Sequence, residues 1–114
     1  MFTIEFYRTE RGECPVEEFM GTLEGKMQQK TLRAISLLKD FGNQLREPFS
    51  KPISNGIFEL RVKLGTDIVR IMYFFHEGRV IILTNGFVKK TQKTPKKEIV
   101  LAERYRDDYI KRRC

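Results

Sequence analysis

Ile81-Ile82-Leu83-Thr84-Asn85-Gly86-Phe87-Val88-Lys89-Lys90-Thr91-Gln92-Lys93-Thr94-Pro95-Lys96-Lys97 is the stretch that decides how this chain folds. An apolar run of buried-strand length passes straight into a lysine cluster, and a helix start follows at once. Thr94 suits an N-cap and Pro95 the first helical position. Lys96 and Lys97 then fall in the first turn, where the helix dipole disfavours cations by roughly a few tenths of a kcal/mol each. Five lysines within nine residues (89, 90, 93, 96 and 97) also repel one another. A stretch that breaks local rules so densely serves a partner, and the partner expected is an anion.

Before this strand, residues 57–64 and 67–75 read as two more, with 80–88 as the third. Leu64-Gly65-Thr66-Asp67 places Gly at the first central position of a two-residue hairpin, which suits a type II′ turn. His76-Glu77-Gly78-Arg79 is the second tight turn, with Glu77-Gly78 as its loop. Residues 43–56 hold two prolines and Asn55-Gly56, and are expected to be a connecting loop without core pattern. Upstream, Lys26 to Phe41 reads as a helix with Leu32, Ile35, Leu38 and Phe41 as its buried stripe, stopped by Gly42. Val16, Phe19, Met20 and Leu23 mark a shorter helix that begins at Pro15 and ends near residue 25. Residues 2–8 alternate as a half-exposed strand. The last helix runs from Pro95 to about Lys111, with Ile99, Ala102, Tyr105 and Tyr109 on one side. The order is β-α-α-β-β-β-α, an α+β fold with a small, mainly antiparallel sheet. The 114 residues are expected to form one domain, 1–114, that buries about 65% of its unfolded surface.

The hairpins fix which side chains share a face. Leu64 pairs with Asp67, which sets Arg61 opposite Arg70; the second loop then sets Arg70 opposite Asn85. One face carries Phe58, Leu60, Val62, Leu64, Val69, Ile71, Tyr73, Phe75, Val80, Ile82 and Val88 and is the core face. The other carries Glu59, Arg61, Lys63, Arg70, Asn85, Phe87 and Lys89, mixed with Ile68, Met72, Phe74, Ile81 and Leu83. Opposed arginines destabilise a sheet by up to about 1 kcal/mol. Either Glu59 bridges them as a structural network, or a phosphate fills the gap, since Arg offers a planar donor fork. With Lys89, Lys90 and Lys93 arriving at the same edge, the phosphate is preferred. Phe87 and its apolar neighbours either stack a base, as in single-strand RNA binders, or lie beneath the C-terminal helix or a protein partner.

The net charge of +7 fits a polyanion partner. The two cysteines, Cys14 and Cys114, have neither metal-ligand nor disulfide-scaffold spacing. No secretory h-region and no long apolar span occurs, so a reduced, cytoplasmic protein without membrane contact is expected. His76, the single histidine, lies in a turn and is expected to be a solvated surface residue rather than a base. No paired carboxylates, glycine-rich phosphate loop or nucleophile motif appears, which argues against a metal-dependent nuclease. A face rich in Arg and Lys can instead stabilise a phosphorane while the substrate's own 2′-hydroxyl attacks the adjacent phosphate. The proton acceptor would be Glu59 or a lysine depressed by its cationic neighbours. No metal and no cofactor is expected.

Three segments carry a family resemblance: Gly56-Ile57-Phe58-Glu59-Leu60-Arg61, Val69-Arg70-Ile71-Met72-Tyr73-Phe74, and Asn85 to Pro95 with Glu98, Ile99 and Ala102 beyond. The first two are short; the G-F-x-K-K-T-Q-K-T-P string is long and compositionally odd. In these residues, and in element order over nearly the whole chain, the sequence resembles the RelE/HigB-like toxins of bacterial toxin–antitoxin systems, in particular the phage-derived HigB-type branch. The resemblance implies a RelE-like fold and an mRNA interferase that enters the A site of the 70S ribosome and cuts the bound message. It also implies a cognate, HigA-like helix-turn-helix antitoxin, through which alone operator DNA is bound. On this reading Arg61, Arg70, Lys89 and Lys90 are catalytic, with Glu59 among them, and Lys63, Phe87, Gln92, Lys93, Lys96 and Lys97 bind RNA. The C-terminal tyrosine or histidine that some members use has no clear counterpart; Tyr105 is a candidate, with a core role preferred.

Two other functions compete. A ParE-like poison of DNA gyrase would share the fold and tolerate loss of Arg61 and Arg70. A non-catalytic basic RNA-binding module would show affinity that falls uniformly with salt.

Overall fold

The computed structural model of the chain describes residues 2–89 and 93–113. In chain order the elements are β1 (Thr3–Phe6), α1 (Pro15–Met20), α2 (Gly25–Phe41), a 3₁₀ turn (Gly42–Gln44), β2 (Ser50–Ser54), β3 (Ile57–Leu64), β4 (Asp67–His76), β5 (Val80–Lys89) and α3 (Lys96–Arg113). The five strands form one sheet in the order β1-β5-β4-β3-β2. β1 runs parallel to β5 and every other pair is antiparallel. This is the expected mixed α+β, RelE-like arrangement with one strand more than the sequence pattern suggests. That strand, β2, lies within the segment expected to be loop. It is a sheet edge, where Pro52 is tolerated because its missing N–H interrupts no inner ladder, and where Lys51 is unremarkable. Asn55 and Gly56 take φ +48° and +82°, the left-handed pair a tight hairpin turn needs.

The helical pair covers one sheet face and α3 the other. α1 ends at Met20, a turn earlier than expected, with Gly21 as its cap. In α2 the buried positions are Met27, Thr31, Ile35 and Leu38, whereas Leu32 and Phe41 are 52% and 49% exposed. The buried stripe thus keeps Ile35 and Leu38 but takes Met27 and Thr31 in place of Leu32 and Phe41. Thr31 makes this possible because its hydroxyl donates to Met27 O, 2.8 Å away, and needs no water. Beyond Phe41 the chain swings at Gly42 (φ +50°), where a Cβ would lie 2.1 Å from the Phe2 ring. The chain turns there so that Phe2 can pack.

The β3–β4 hairpin has the expected register: Leu64 opposes Asp67, Arg61 opposes Arg70, and Gly65 takes φ +63°. The β4–β5 pair departs from expectation twice. His76 pairs with Val80 across a three-residue loop, and Thr84 is an extra residue between the Met72–Asn85 and Tyr73–Leu83 pairs. Together these place Phe87, not Asn85, opposite Arg70. The bulge also swaps faces for residues 80–83, since one inserted residue inverts a period-two pattern. Ile81 and Leu83 join the core under α1 and α2, while Val80 and Ile82 join Ile57, Met72, Phe74, Ala102 and Tyr109 under α3. Val88 stays on the α1–α2 side but is 46% exposed. Thr84 is fully buried, its hydroxyl 2.7 Å from Asn85 Oδ1 and 3.2 Å from Met72 O, so the bulge leaves its polar group satisfied.

Candidate functional site

Three cross-strand rows on the α3 side build the site. Glu59, Met72 and Asn85 form the innermost; Arg61, Arg70 and Phe87 the middle; Lys63, Ile68 and Lys89 the outermost. Adjacent strands lie about 4.8 Å apart, so Lys63 and Lys89 flank Ile68 across roughly 10 Å. The first turn of α3 lies over the inner rows. Asn85 Nδ2 donates to Glu98 Oε1 (3.1 Å) and Glu98 O (3.3 Å), and Thr94 donates its hydroxyl to Glu59 Oε2. The outer row is open: Lys63 is exposed, and Ile68 and Lys89 are half-buried.

Glu59 is the electrostatic centre. Its Oε1 is 3.0 Å from Arg70 Nη1 and 3.7 Å from Arg61 Nε. Arg70 Nη1 also lies 3.4 Å from Thr94 Oγ1, which accepts from it. Burying an ion costs several kcal/mol, so a carboxylate and a guanidinium at this depth persist only as partners. The bridge by Glu59, rather than a phosphate, therefore occupies the space between the opposed arginines. One carboxylate against two guanidinium groups leaves a formal surplus of one positive charge. Arg61 carries the more accessible part of it: its side chain is 19% exposed, and its buried Nε has no hydrogen-bond partner among the described residues.

The remaining sequence candidates fall in several places. Lys93, ahead of α3, and Lys96 and Lys97 in its first turn are exposed. Lys90 and Gln92 lie outside the described residues. Phe87 is half-buried against the α3 core, so it is part of the packed seam rather than a free stacking platform. Thr94 does not cap α3, which begins at Lys96; its hydroxyl faces inward to Glu59. His76 is not a solvated turn residue but the last of β4, with its ring 5.2 Å from that of Tyr109. Tyr105 stacks on Tyr7 at 4.6 Å, and burial raises the pKa of its hydroxyl, as suits its core role. Cys14 is buried ahead of α1, and Cys114 lies outside the described residues. Among the described residues no three His, Cys, Asp or Glu side chains converge as metal ligands would.

Two contributors escaped the sequence reading. Thr94 looked like a cap, and nothing local signals its long-range bond to Glu59. Glu98, the partner of Asn85, was detectable in principle, because an Asn inside a buried apolar run must find a partner.

A family model described as Phage derived protein Gp49-like (DUF891) matches residues 18–107. No curated protein matches the chain. The chain belongs to the Gp49-like family, a RelE-type toxin family of toxin–antitoxin systems.

Proposed function

We propose that this Gp49-like toxin is a ribosome-dependent mRNA endoribonuclease of the HigB-type branch, acting in the cytoplasm on message in the ribosomal A site. The observation that supports the proposal is that Arg61, Lys63 and Lys89 share one face at the open end of the sheet, with Lys93, Lys96 and Lys97 exposed in the segment that follows β5 and opens α3. In this reading the message's 2′-hydroxyl attacks the adjacent phosphorus, the bond to the 5′-oxygen breaks, and a 2′,3′-cyclic phosphate results. The attacking hydroxyl loses a proton and the departing oxygen gains one. Arg61 and Lys89 neutralise the charge that builds on the phosphorane oxygens, where preorganised donors act most strongly. Lys63 and the α3 lysines hold the flanking phosphates. Lys90 is assigned with Lys89, and Gln92 with the RNA contacts. Arg70 acts through Arg61, with Glu59 positioning both guanidinium groups. The partner that silences the toxin is a cognate antitoxin of helix-turn-helix type, through which the complex reaches operator DNA.

Primer extension on a defined message, with and without purified 70S ribosomes, tests this. Cuts confined to the A-site codon support it. One observation favours a second reading: Arg70 is 1% exposed and paired with Glu59, as a scaffold residue would be in a gyrase poison of the same fold. Inhibition of gyrase supercoiling with the message left intact would select that reading.

A further inference from the structure

A second feature lies along the β3 edge, adjoining the site above at Arg61 and Lys63. Between α2 and the end of β3 runs a groove of about 480 Å³. Its floor is apolar, built from Leu37, Phe49 and Val62, and Phe49 is 48% exposed. Its lining also includes Lys30, Arg33, Arg61 and Lys63, and no carboxylate among the described residues. Exposed apolar surface rimmed by one sign of charge marks a binding surface for the opposite sign.

We propose that this groove is a protein-docking site that takes an acidic amphipathic helix from a partner. The choice of a helix follows from the strand edge. Arg61 N–H already donates to Phe49 O at 2.8 Å, and Lys63 O accepts from the Lys30 ammonium, so an added strand would find these groups occupied. The choice of protein over RNA follows from the floor. Single-stranded nucleic acid binds on successive aromatic platforms along a cationic track, whereas here the floor is mainly aliphatic with one ring. Leucine-like side chains at helical spacing fit that floor, and the carboxylates beside them meet Lys30, Arg33 and Lys63. The groove borders the site proposed for the reaction and shares Arg61 and Lys63 with it, whereas Lys30, Arg33, Leu37 and Phe49 take no part in that reaction.

The test is fluorescence anisotropy on the full chain with a labelled synthetic helical peptide, leucine on one face and glutamate on the other. The peptide binds wild type, Arg33→Glu weakens it about tenfold or more, and Phe49→Ser weakens it as well. Lys39→Glu, on an exposed part of α2 outside the groove, leaves affinity unchanged, and a peptide with serine for leucine does not bind. No binding to wild-type protein, or equal loss in Arg33→Glu and Lys39→Glu, overturns the proposal. Displacement of the peptide by an unlabelled RNA oligomer with the same Arg33 dependence overturns it in favour of nucleic acid. Arg33→Glu and Phe49→Ser cut ribosome-bound message like wild type, so failure here and failure of the nuclease reading are separately visible.

Discussion

Glu59 and Arg70 form an ion pair, Oε1 to Nη1 at 3.0 Å, with 0% and 1% of their side chains open to solvent. The pair lies directly beneath Thr94, and Arg61, two residues beyond Glu59 on β3 and opposite Arg70, approaches the same carboxylate. The arrangement separates two roles that a list of cations would merge: Arg70 is held as structure, and Arg61 is held with part of its side chain facing outward.

Removing one partner of this pair strands a charge. Arg70→Ala and Glu59→Ala are each expected to lower stability by about 3–5 kcal/mol, whereas Glu59→Leu/Arg70→Met together costs less than either. Urea unfolding of the four proteins measures this. If Arg70→Ala unfolds at the wild-type midpoint, the pair does not hold the sheet.

Thr94 donates to a buried carboxylate that is also paired with Arg70, a bond of the stronger kind. Thr94→Val keeps the shape and removes the donor, with an expected loss of about 1.5–3 kcal/mol in the same urea series. A loss like that of an ordinary exposed cap would show that the hydroxyl serves only the helix end.

Gly86 lies in β5 against α1, where a Cβ would sit 2.5 Å from Phe19 Cδ2 and 2.8 Å from Ile71 Cδ1. Gly86→Ala should cost about 1–3 kcal/mol through overpacking. Adding Phe19→Leu should recover part of that, read as a rise in thermal midpoint over the single variant.

The Tyr7 hydroxyl donates to Asp108 Oδ2. Burial first, then the Asp108 bond, pushes Tyr7 up to about 12. The same bond first, then Arg112, holds Asp108 below the usual carboxylate range. A depressed carboxylate contributes stability that is present above its ordinary pKa and lost as pH falls through the lowered value. Tyr7 contributes below about 10 and loses its contribution as pH rises towards 12. In Tyr7→Phe the Asp108 midpoint, followed by carboxyl-carbon NMR, should move up towards the ordinary range. An unmoved midpoint would assign the depression to Arg112 alone.

Much of this was legible from the residues. Gly65 at its turn and the alternation on either side fixed Arg61 against Arg70, because a two-residue loop leaves one register. The second hairpin was not legible: at the Thr84 bulge a buried hydroxyl reaches Met72 O on the neighbouring strand, as well as Asn85 Oδ1 beside it, and the cross-strand bond has no mark in the chain. β2 was hidden because an edge strand with Pro52 carries the composition of a loop. Leu32 and Phe41 misled for a related reason, since Thr31 satisfies its own hydroxyl and so counts as buried. At the site, the choice of Glu59 over phosphate turned on the depth of the pair, which depends on where α3 lies rather than on any spacing.

The most direct test of the nuclease account is the single-turnover rate at which Arg61→Gln cuts A-site message on purified 70S ribosomes, with its urea midpoint measured alongside. The account predicts cleavage slowed about 100-fold or more at a near-wild-type midpoint, the size of effect expected on losing one preorganised donor to the developing oxyanion. Cleavage by Arg61→Gln at the wild-type rate, or message left whole by the wild-type protein, would contradict it.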